Sequence, residues 1–201
     1  MQWEHRGLRP AVHPDAYVAP TAVLCGDVRI GPGCAIGFGA VLTAEDGVIE
    51  LAENVVVMET AVIRASRRAP VRIGRNVLIG PRAYLTGCSI GDDVFLATGA
   101  TVFNGAEVGR GAEVRINGVV HLRTRVPEDA TVPIGWVAVC DPAQILPPDA
   151  HERIWAVQQP LNFPKVVFGL DRPPPGGSIL PELVRRQAKA YRAHRGDVPL
   201  T

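Results

Sequence analysis

The feature of the sequence best suited to chemistry is a basic segment that lacks acidic residues. Between Thr60 and Gly91 there are six arginines and no aspartate or glutamate. A guanidinium presents a planar, permanently charged set of donors that matches carboxylate and phosphate groups. Several guanidinium groups facing one cleft attract an anion. The segment therefore predicts an anion-binding cleft with these ligand-binding residues: Arg64, Arg67, Arg68, Arg82 and Thr86.

A second interpretation explains the same arginines without any ligand. Four glutamates lie shortly before the segment, and ion pairs between them and the arginines across a subunit interface would account for the charges. These partners are Glu45, Glu50, Glu53 and Glu59. The two interpretations are compatible with each other.

Three further residues are candidates for acid–base catalysis: His121, Glu59 and Tyr84. His121 follows Val120, and an outward-facing imidazole there is a general base at its ordinary pKa. Tyr84 precedes Leu85 and is placed to line the cleft. In this hypothesis Arg64 holds an oxyanion or carboxylate. The alternatives are a structural histidine and a packing aromatic residue.

The remaining histidines and the cysteines predict no metal site and no thiol chemistry. They show no metal-type spacing and no CxxC pair, which is typical of reduced thiols in an intracellular protein. The histidines are His5, His13, His151 and His194, and the cysteines are Cys25, Cys34, Cys88 and Cys140. Asn104 and Asn117 are expected at turns with left-handed backbone angles.

A period of six residues positions these side chains. Aliphatic residues recur at this spacing in four blocks between about residues 18 and 135, the longest running from Ile90 to Val132. A short strand followed by a tight turn explains the period, and three such units close one coil. The 19 units predict an all-β parallel solenoid of about six coils.

The composition separates this solenoid from a C-terminal extension. The 21 glycines and 18 prolines argue against a helical bundle. The repeats end after Val132, and we predict a β-helical domain at 1–146 and a helical, proline-rich extension at 147–201. Two helices are expected there, Asp149 to Gln159, ending before Pro160, and Pro181 to about His194. The first should pack on the solenoid, and the last twenty residues should fray or dock on a neighbouring subunit.

The hexads resemble the left-handed β-helix of the hexapeptide-repeat transferase superfamily. About 120 residues, from Val23 to Ala143, are similar to the γ-class carbonic anhydrases. The matching pieces are Gly26-Asp-Val-Arg-Ile-Gly31, Ile73-Gly-Arg-Asn-Val-Leu-Ile-Gly80, Leu85-Thr-Gly-Cys-Ser-Ile-Gly91 and Pro133-Ile-Gly-Trp-Val-Ala-Val-Cys-Asp-Pro-Ala143. The resemblance implies a homotrimer. Outward apolar residues, Val41, Val56, Val62 and Phe95, also predict self-association.

The same resemblance implies a zinc site that this sequence does not keep. The three histidine ligands of the family fall at Arg64, Pro81 and Thr86, and none of these side chains replaces an imidazole on zinc. The arginine of the family falls at Thr43, and its glutamine and aspartate fall at Met58 and Glu59. We therefore expect no bound zinc, no cofactor and no carbonic anhydrase activity of the usual kind.

The resulting hypothesis is a homotrimer without the zinc site, whose inter-subunit cleft binds a small anionic metabolite and serves in acid–base catalysis. One alternative is a CoA-dependent acyltransferase that uses His121, the only case in which CoA is expected. Another is a non-catalytic structural trimer. The net charge of +1 and the lack of an 18-residue apolar run predict neither a nucleic acid nor a membrane partner. A cytoplasmic location is expected.

Overall fold

The computed structural model describes residues 1–174 and 176–200. Short strands fill the first three quarters of the chain, and helices follow. The strands are β1 (Gln2–Glu4), β2 (Ala11–Val12), β3 (Tyr17–Val18), β4 (Val23–Ile30), β5 (Ala35–Ile36), β6 (Val41–Leu51), β7 (Val56–Val57), β8 (Val62–Ala65), β9 (Val71–Ile73), β10 (Leu78–Ile79), β11 (Tyr84–Thr86), β12 (Ser89–Ile90), β13 (Phe95–Leu96), β14 (Thr101–Val102), β15 (Glu107–Val108), β16 (Glu113–Val114), β17 (Val119–Val120), β18 (Arg125–Val126), β19 (Thr131–Val132), β20 (Val137–Val139), β21 (Gln144–Leu146) and β22 (Val198–Leu200). The helices are α1 (His151–Leu161), α2 (Phe163–Phe168) and α3 (Leu180–Arg192), followed by a 3-10 turn (Ala193–Gly196).

The solenoid predicted from the period of six is confirmed. Every aliphatic anchor of the hexads is buried except Val18, which is half-buried. Consecutive coils pair in parallel, as Leu78 with Phe95 and Ile79 with Leu96 illustrate. The coils number about eight rather than six. The hexad spacing did not reveal the terminal coils, because strands such as β1 and β20, which lack that spacing, complete them.

The parallel β-helix has three faces, which we name by what their outer sides carry. The site face consists of β1, the first parts of β4 and β6, β8, β11, β14, β17 and β20. The charged face consists of β2, the second parts of β4 and β6, β9, β12, β15 and β18. The apolar face consists of β3, β5, β7, β10, β13, β16 and β19.

Outward side chains on the charged face alternate in sign along the column from Arg29 to Arg125, with the neutral Ser89 between Arg72 and Glu107. Glu50 accepts hydrogen bonds from Arg29 at 2.9 Å and from Arg72 at 3.1 Å. Further along, Arg125 lies 3.6 Å from Glu107. Opposite charges on adjacent strands stabilise the pairing of neighbouring coils and keep this face in water.

The apolar face has a different outer surface. Val56, Leu78 and Phe95 lie in register on adjacent strands, and each is more than one-third exposed. Tyr17 extends the same row at one end and is 53% exposed. An apolar stripe of this kind is typical of a surface that another protein covers.

The breaks in the hexad spacing form an enlarged corner between the site face and the charged face. β6 carries extra residues at this corner, where its register against β4 shifts. One coil later, Ser66 and Ala69 pair across a tight loop. The Asp46 carboxylate accepts a hydrogen bond from the backbone N–H of Arg67 at 2.9 Å. This bond connects the extra residues of β6 to the loop between Ser66 and Ala69.

The C-terminal extension returns to the start of the chain. Ile154 of α1 packs on Val139 and Leu146, so the first helix lies against the solenoid. That helix ends at Leu161, beyond Pro160, because the left-handed Asn162 provides its C-terminal cap. Near the end of the chain, β22 pairs antiparallel with β1 of the same chain. In the described part of the chain, every helix is too short or too polar to cross a bilayer.

Candidate functional site

Two adjacent clefts lie between the enlarged corner and the C-terminal extension. The larger has a volume of about 1410 Å³ and the smaller about 490 Å³. Asp46, Ser66, Asn104 and Phe168 line both of them. One wall is therefore the corner of the β-helix, and the other is formed by α2 and α3 of the same chain.

The larger cleft has a basic lining. Five cationic side chains face two carboxylates, Asp46 and Glu107. The cationic residues are Arg67, Arg68, Arg123, Lys165 and Arg186. Arg67 lies 3.8 Å from Asp46, but Arg68 and Arg123 have no carboxylate within 4.0 Å among the described residues. The cleft thus retains unneutralised positive charge, which attracts anions.

A glycine explains how the corner leaves room for this cleft. Gly87 has a φ of +54°, and a Cβ there would lie 2.4 Å from the Cβ of Ala69. Glycine adopts this angle at no steric cost, and the absence of a Cβ allows such a close approach. The chain therefore turns sharply after Thr86, where the hexad spacing shortens, while the loop containing Arg67 and Arg68 extends outward.

Arg64, Tyr84 and Thr86 line the smaller cleft. Arg64 and Thr86 are partners on adjacent strands of the site face. The guanidinium of Arg64 donates a hydrogen bond to Glu45 at 3.2 Å and lies 5.9 Å from the ring centroid of Tyr191. Burial alone would lower the pKa of Arg64, but Tyr191, Tyr84 and Glu45 raise it overall, so this residue remains a cation.

Three of the four glutamates of the second interpretation form ion pairs within one chain, and Glu59 has none among the described residues. Glu45 pairs with Arg64, Glu50 with Arg72, and Glu53 lies 3.9 Å from Arg75. These pairs neutralise part of the arginine-rich segment, and Arg68 is the residue of that segment that lines the larger cleft without a carboxylate partner among the described residues.

Arg82 and Glu59 are outside the lining of both clefts. They lie on adjacent turns, where the backbone N–H of Arg82 donates to the carbonyl oxygen of Glu59 at 3.1 Å. The structure does not bring these two predicted residues together with Arg64 or Thr86.

His121 differs from the expected outward-facing base. It is only 7% exposed, and its ring lies 6.1 Å from that of Phe103. Its Nδ1 is buried and has no hydrogen-bond partner among the described residues. Burial lowers the pKa of His121, which keeps the imidazole neutral. The side chain is outside the lining of both clefts.

Sequence reasoning missed the residues that the extension and the later coils contribute to the cleft: Arg123, Lys165, Arg186 and Asn104. The interruptions of the hexad spacing between Leu42 and Ile90 are the signal that marks this corner. Asn104 was expected to have a left-handed backbone, but Gly105 takes that conformation at φ +73°. Asn117, at φ +54°, is left-handed as predicted.

The three positions that the resemblance aligns with zinc ligands carry an arginine, a proline and a threonine. Arg64 and Thr86 lie side by side, but the guanidinium is already paired with Glu45. Pro81 lies in the turn before Arg82 and offers no donor atom. A cation, a hydroxyl and a proline do not supply the neutral nitrogen ligands that zinc requires in such a site.

Comparison with known proteins gives the following similarities. Residues 70–104 match the family model for the bacterial transferase hexapeptide (six repeats). The chain is 33% identical over 124 residues to γ carbonic anhydrase 2 and 31% identical over 156 residues to γ carbonic anhydrase 1, both mitochondrial proteins of Arabidopsis thaliana. These alignments cover 59% and 75% of this chain, and 45% and 54% of the relatives.

A further relative is the carnitine operon protein CaiE of Escherichia coli K12, 35% identical over 103 residues, with 51% of this chain and 53% of CaiE aligned. The chain thus spans about half the length of the curated relatives it matches. Among solved structures, it superimposes on a hexapeptide transferase family protein from Anaplasma phagocytophilum with a TM-score of 0.61 and 25% identity, covering 78% of this chain and 89% of the other.

His121 predicts a measurable response to acid. Because its pKa is lower in the folded chain than in the unfolded chain, the unfolded chain takes up a proton first as the pH falls below about 6.5. The contribution of the neutral buried imidazole is therefore present above that pH and is lost below it. We expect His121→Gln to lose less free energy of unfolding than the wild type between about pH 7.5 and about pH 5, measured by urea denaturation.

The control is His13→Gln, since the His13 side chain is 43% exposed. This variant should follow the wild-type pH profile. Identical pH profiles for His121→Gln and the wild type would contradict the prediction.

Proposed function

Since the chain belongs to the hexapeptide-repeat superfamily that contains γ-carbonic-anhydrase-like proteins and hexapeptide transferases, we propose that it binds a small anionic metabolite in the larger cleft. The observation that carries the proposal is the excess of cationic side chains over carboxylates in that lining. The anion would lie between the enlarged corner of the β-helix and α2, with the fixed charges of Arg68 and Arg123 as its principal partners.

Arg68 and Arg123 are chosen because the other cations of the lining already have carboxylate partners. Lys165 lies 2.8 Å from Asp171, and Arg186 lies 2.6 Å from Glu182, so both cations already have carboxylate partners. Arg68 and Arg123 have none among the described residues, and a guanidinium without a partner gains most from a carboxylate or phosphate group.

Loss of either unpaired guanidinium should weaken anion binding. We expect Arg68→Gln and Arg123→Gln each to raise the Kd for the bound probe about tenfold, because a hydrogen bond to a charged group contributes roughly 1.5 kcal/mol. The measurement is isothermal titration calorimetry of the full chain with inorganic phosphate, citrate and CoA as separate probes at low salt.

Arg110→Gln is the matched control, because Arg110 is an exposed arginine that pairs with Glu128 and does not line the cleft. Its Kd should equal that of the wild type. Absence of binding by all three probes, or equal loss in Arg110→Gln and the two cleft variants, would contradict the proposal.

Acid–base catalysis is a narrower form of the proposal. Of the three catalytic candidates only Tyr84 lines a cleft, whereas His121 is buried and Glu59 lies elsewhere. The geometry therefore favours binding over chemistry by His121, on which the CoA-dependent acyltransferase alternative depends. That alternative, the non-catalytic trimer and the cytoplasmic location stay predictions.

We also propose that the chain does not hydrate CO₂ in the manner of the carbonic anhydrases it resembles. The reaction requires a metal-bound water of lowered pKa, and Arg64, Pro81 and Thr86 do not hold such a metal. Stopped-flow hydration assays with and without added zinc should show the rate of buffer alone. Zinc-dependent turnover above that rate would overturn this part of the proposal.

Self-association is proposed as a homotrimer through the apolar face. A closed ring of three copies suits a three-sided prism, and the exposed row of Val56, Leu78 and Phe95 supplies the apolar surface that such a contact buries. The cleft is at the corner opposite this face, so it would then lie away from the interface and would not depend on it for its lining.

A charge in the middle of this row should break the assembly. We expect sedimentation at micromolar concentration to give a trimer for the wild type and a monomer for Leu78→Asp, because an aspartate in a contact between copies remains desolvated and unpaired. Ser89→Asp places the same charge on the charged face and should remain trimeric. A monomeric wild type would refute the trimer.

A further inference from the structure

Four potential metal ligands from distant parts of the sequence meet at one end of the site face. They are His5, Cys25, His194 and Asp197, and one ligand atom from each lies within 4.8 Å of all the others. His5 follows β1, Cys25 belongs to β4, and the other two residues lie at the 3-10 turn before β22. The cluster therefore joins the two ends of the chain to the β-helix.

The carboxylate of Asp197 is the centre of this cluster. Its two oxygens lie 2.6 Å from Nδ1 of His5 and 2.7 Å from Nδ1 of His194. The Sγ of Cys25 donates to the same carboxylate at 3.5 Å. The two imidazole rings stack with their centroids 4.5 Å apart. The four side chains thus already converge, and their separations are close to those of ligands around one small ion.

Burial makes the cluster unusual for a set of surface polar residues. His5 is 1% exposed and Cys25 is 5% exposed. The Nε2 of His5 has no hydrogen-bond partner among the described residues, which leaves a buried polar atom unsatisfied. Burial, together with the adjacent Asp197 carboxylate, raises the pKa of the Cys25 thiol to about 12. Without a metal, the thiol therefore keeps its proton.

The donor set matches a particular class of metal. Two imidazoles, one thiolate and one carboxylate suit zinc, whereas magnesium and calcium prefer oxygen ligands alone. Tetrahedral zinc with ordinary bond lengths places its ligand atoms about 3.3–3.6 Å apart. Small movements of the side chains would bring the present cluster to that spacing.

Glu45 adds a partner outside the cluster. Its carboxylate lies 3.3 Å from Nε2 of His194, on the opposite side of the ring from the Nδ1 that faces Asp197. An imidazole that binds a metal through one nitrogen commonly donates its other N–H to a carboxylate, which fixes the ring. His194 and Glu45 already have this arrangement.

We propose that His5, Cys25, His194 and Asp197 bind one zinc ion, which fastens the C-terminal extension to the first coils. Four protein ligands leave no position for a substrate, so the ion is structural. On binding, the Cys25 sulfur exchanges its proton for the zinc bond and the proton passes to solvent. The site is independent of the anion-binding cleft and of the positions aligned with the zinc ligands of the relatives.

Metal content and spectroscopy of the full chain test this assignment. After stripping with a chelator and reloading with zinc, we expect one zinc per chain by mass spectrometry and a higher Tm than in the stripped protein. Cobalt loading should give thiolate-to-cobalt charge-transfer absorption in the near ultraviolet. Cys25→Ser should lose that absorption, and His194→Gln should raise the zinc Kd by at least about 100-fold, since even partners of ligands contribute about 10- to 100-fold.

Matched controls are Cys140→Ser and His13→Gln, which change a cysteine and a histidine outside the cluster and should behave as the wild type. Glu45→Gln should give an intermediate loss of about 10- to 100-fold in zinc affinity. His194 is only partly buried, so its variant should fold even where Cys25→Ser does not. Substoichiometric zinc in the reloaded wild type, or unchanged affinity in His194→Gln, would overturn the proposal.

Discussion

The structure depends on the stacking of one buried aliphatic side chain on the next, coil after coil. Each anchor lies on the equivalent anchor of the adjacent coil, as Ile63 does between Leu42 and Leu85. The inward spacing is constant, so the outer side chains also fall into straight columns. This alignment produces the alternating charges of one face and the apolar row of another. The same inward packing is therefore repeated in every coil, while the outer side chains differ from face to face.

The cleft exists because the regular hexad spacing is interrupted at one corner of the β-helix. Extra residues in β6 and in the loop that carries Arg67 and Arg68 extend outward at the corner. The buried packing continues after them, since Ile49 and Val71 pair on adjacent strands and are both buried. Gly87 then brings the next coil close beneath that loop. The solenoid tolerates such interruptions at corners because each coil contacts only its neighbours. The extra residues at the corner are not part of the buried core, so polar and charged side chains are tolerated there.

The solenoid and the basic character of the site could be predicted from local sequence, since both depend on spacing within a few dozen residues. Arg64 and Arg68 are examples, because each lies in a short segment whose composition alone is informative. The contributions of Lys165 and Arg186 could not be predicted in this way, since they require the path of the extension back across the corner. The meeting of His5 with Asp197 is more distant still, as 192 residues separate them. Hexad spacing carries no information about such contacts.

After α1, which packs through Ile154, the docking of the extension rests on polar contacts more than on hydrophobic burial. No residue of α2 or α3 is fully buried, so these helices gain little from removing apolar surface from water. Backbone pairing of β22 with β1 and the group around Asp197 provide the main attachment. Glu45 extends that group, because its carboxylate contacts both His194 and Arg64. Because α2 and α3 form one wall of the cleft, the contacts of Asp197 that fix the end of the extension also help to position that wall. Residues at both ends of the chain therefore contribute to the shape of a cleft whose other wall comes from the middle of the sequence.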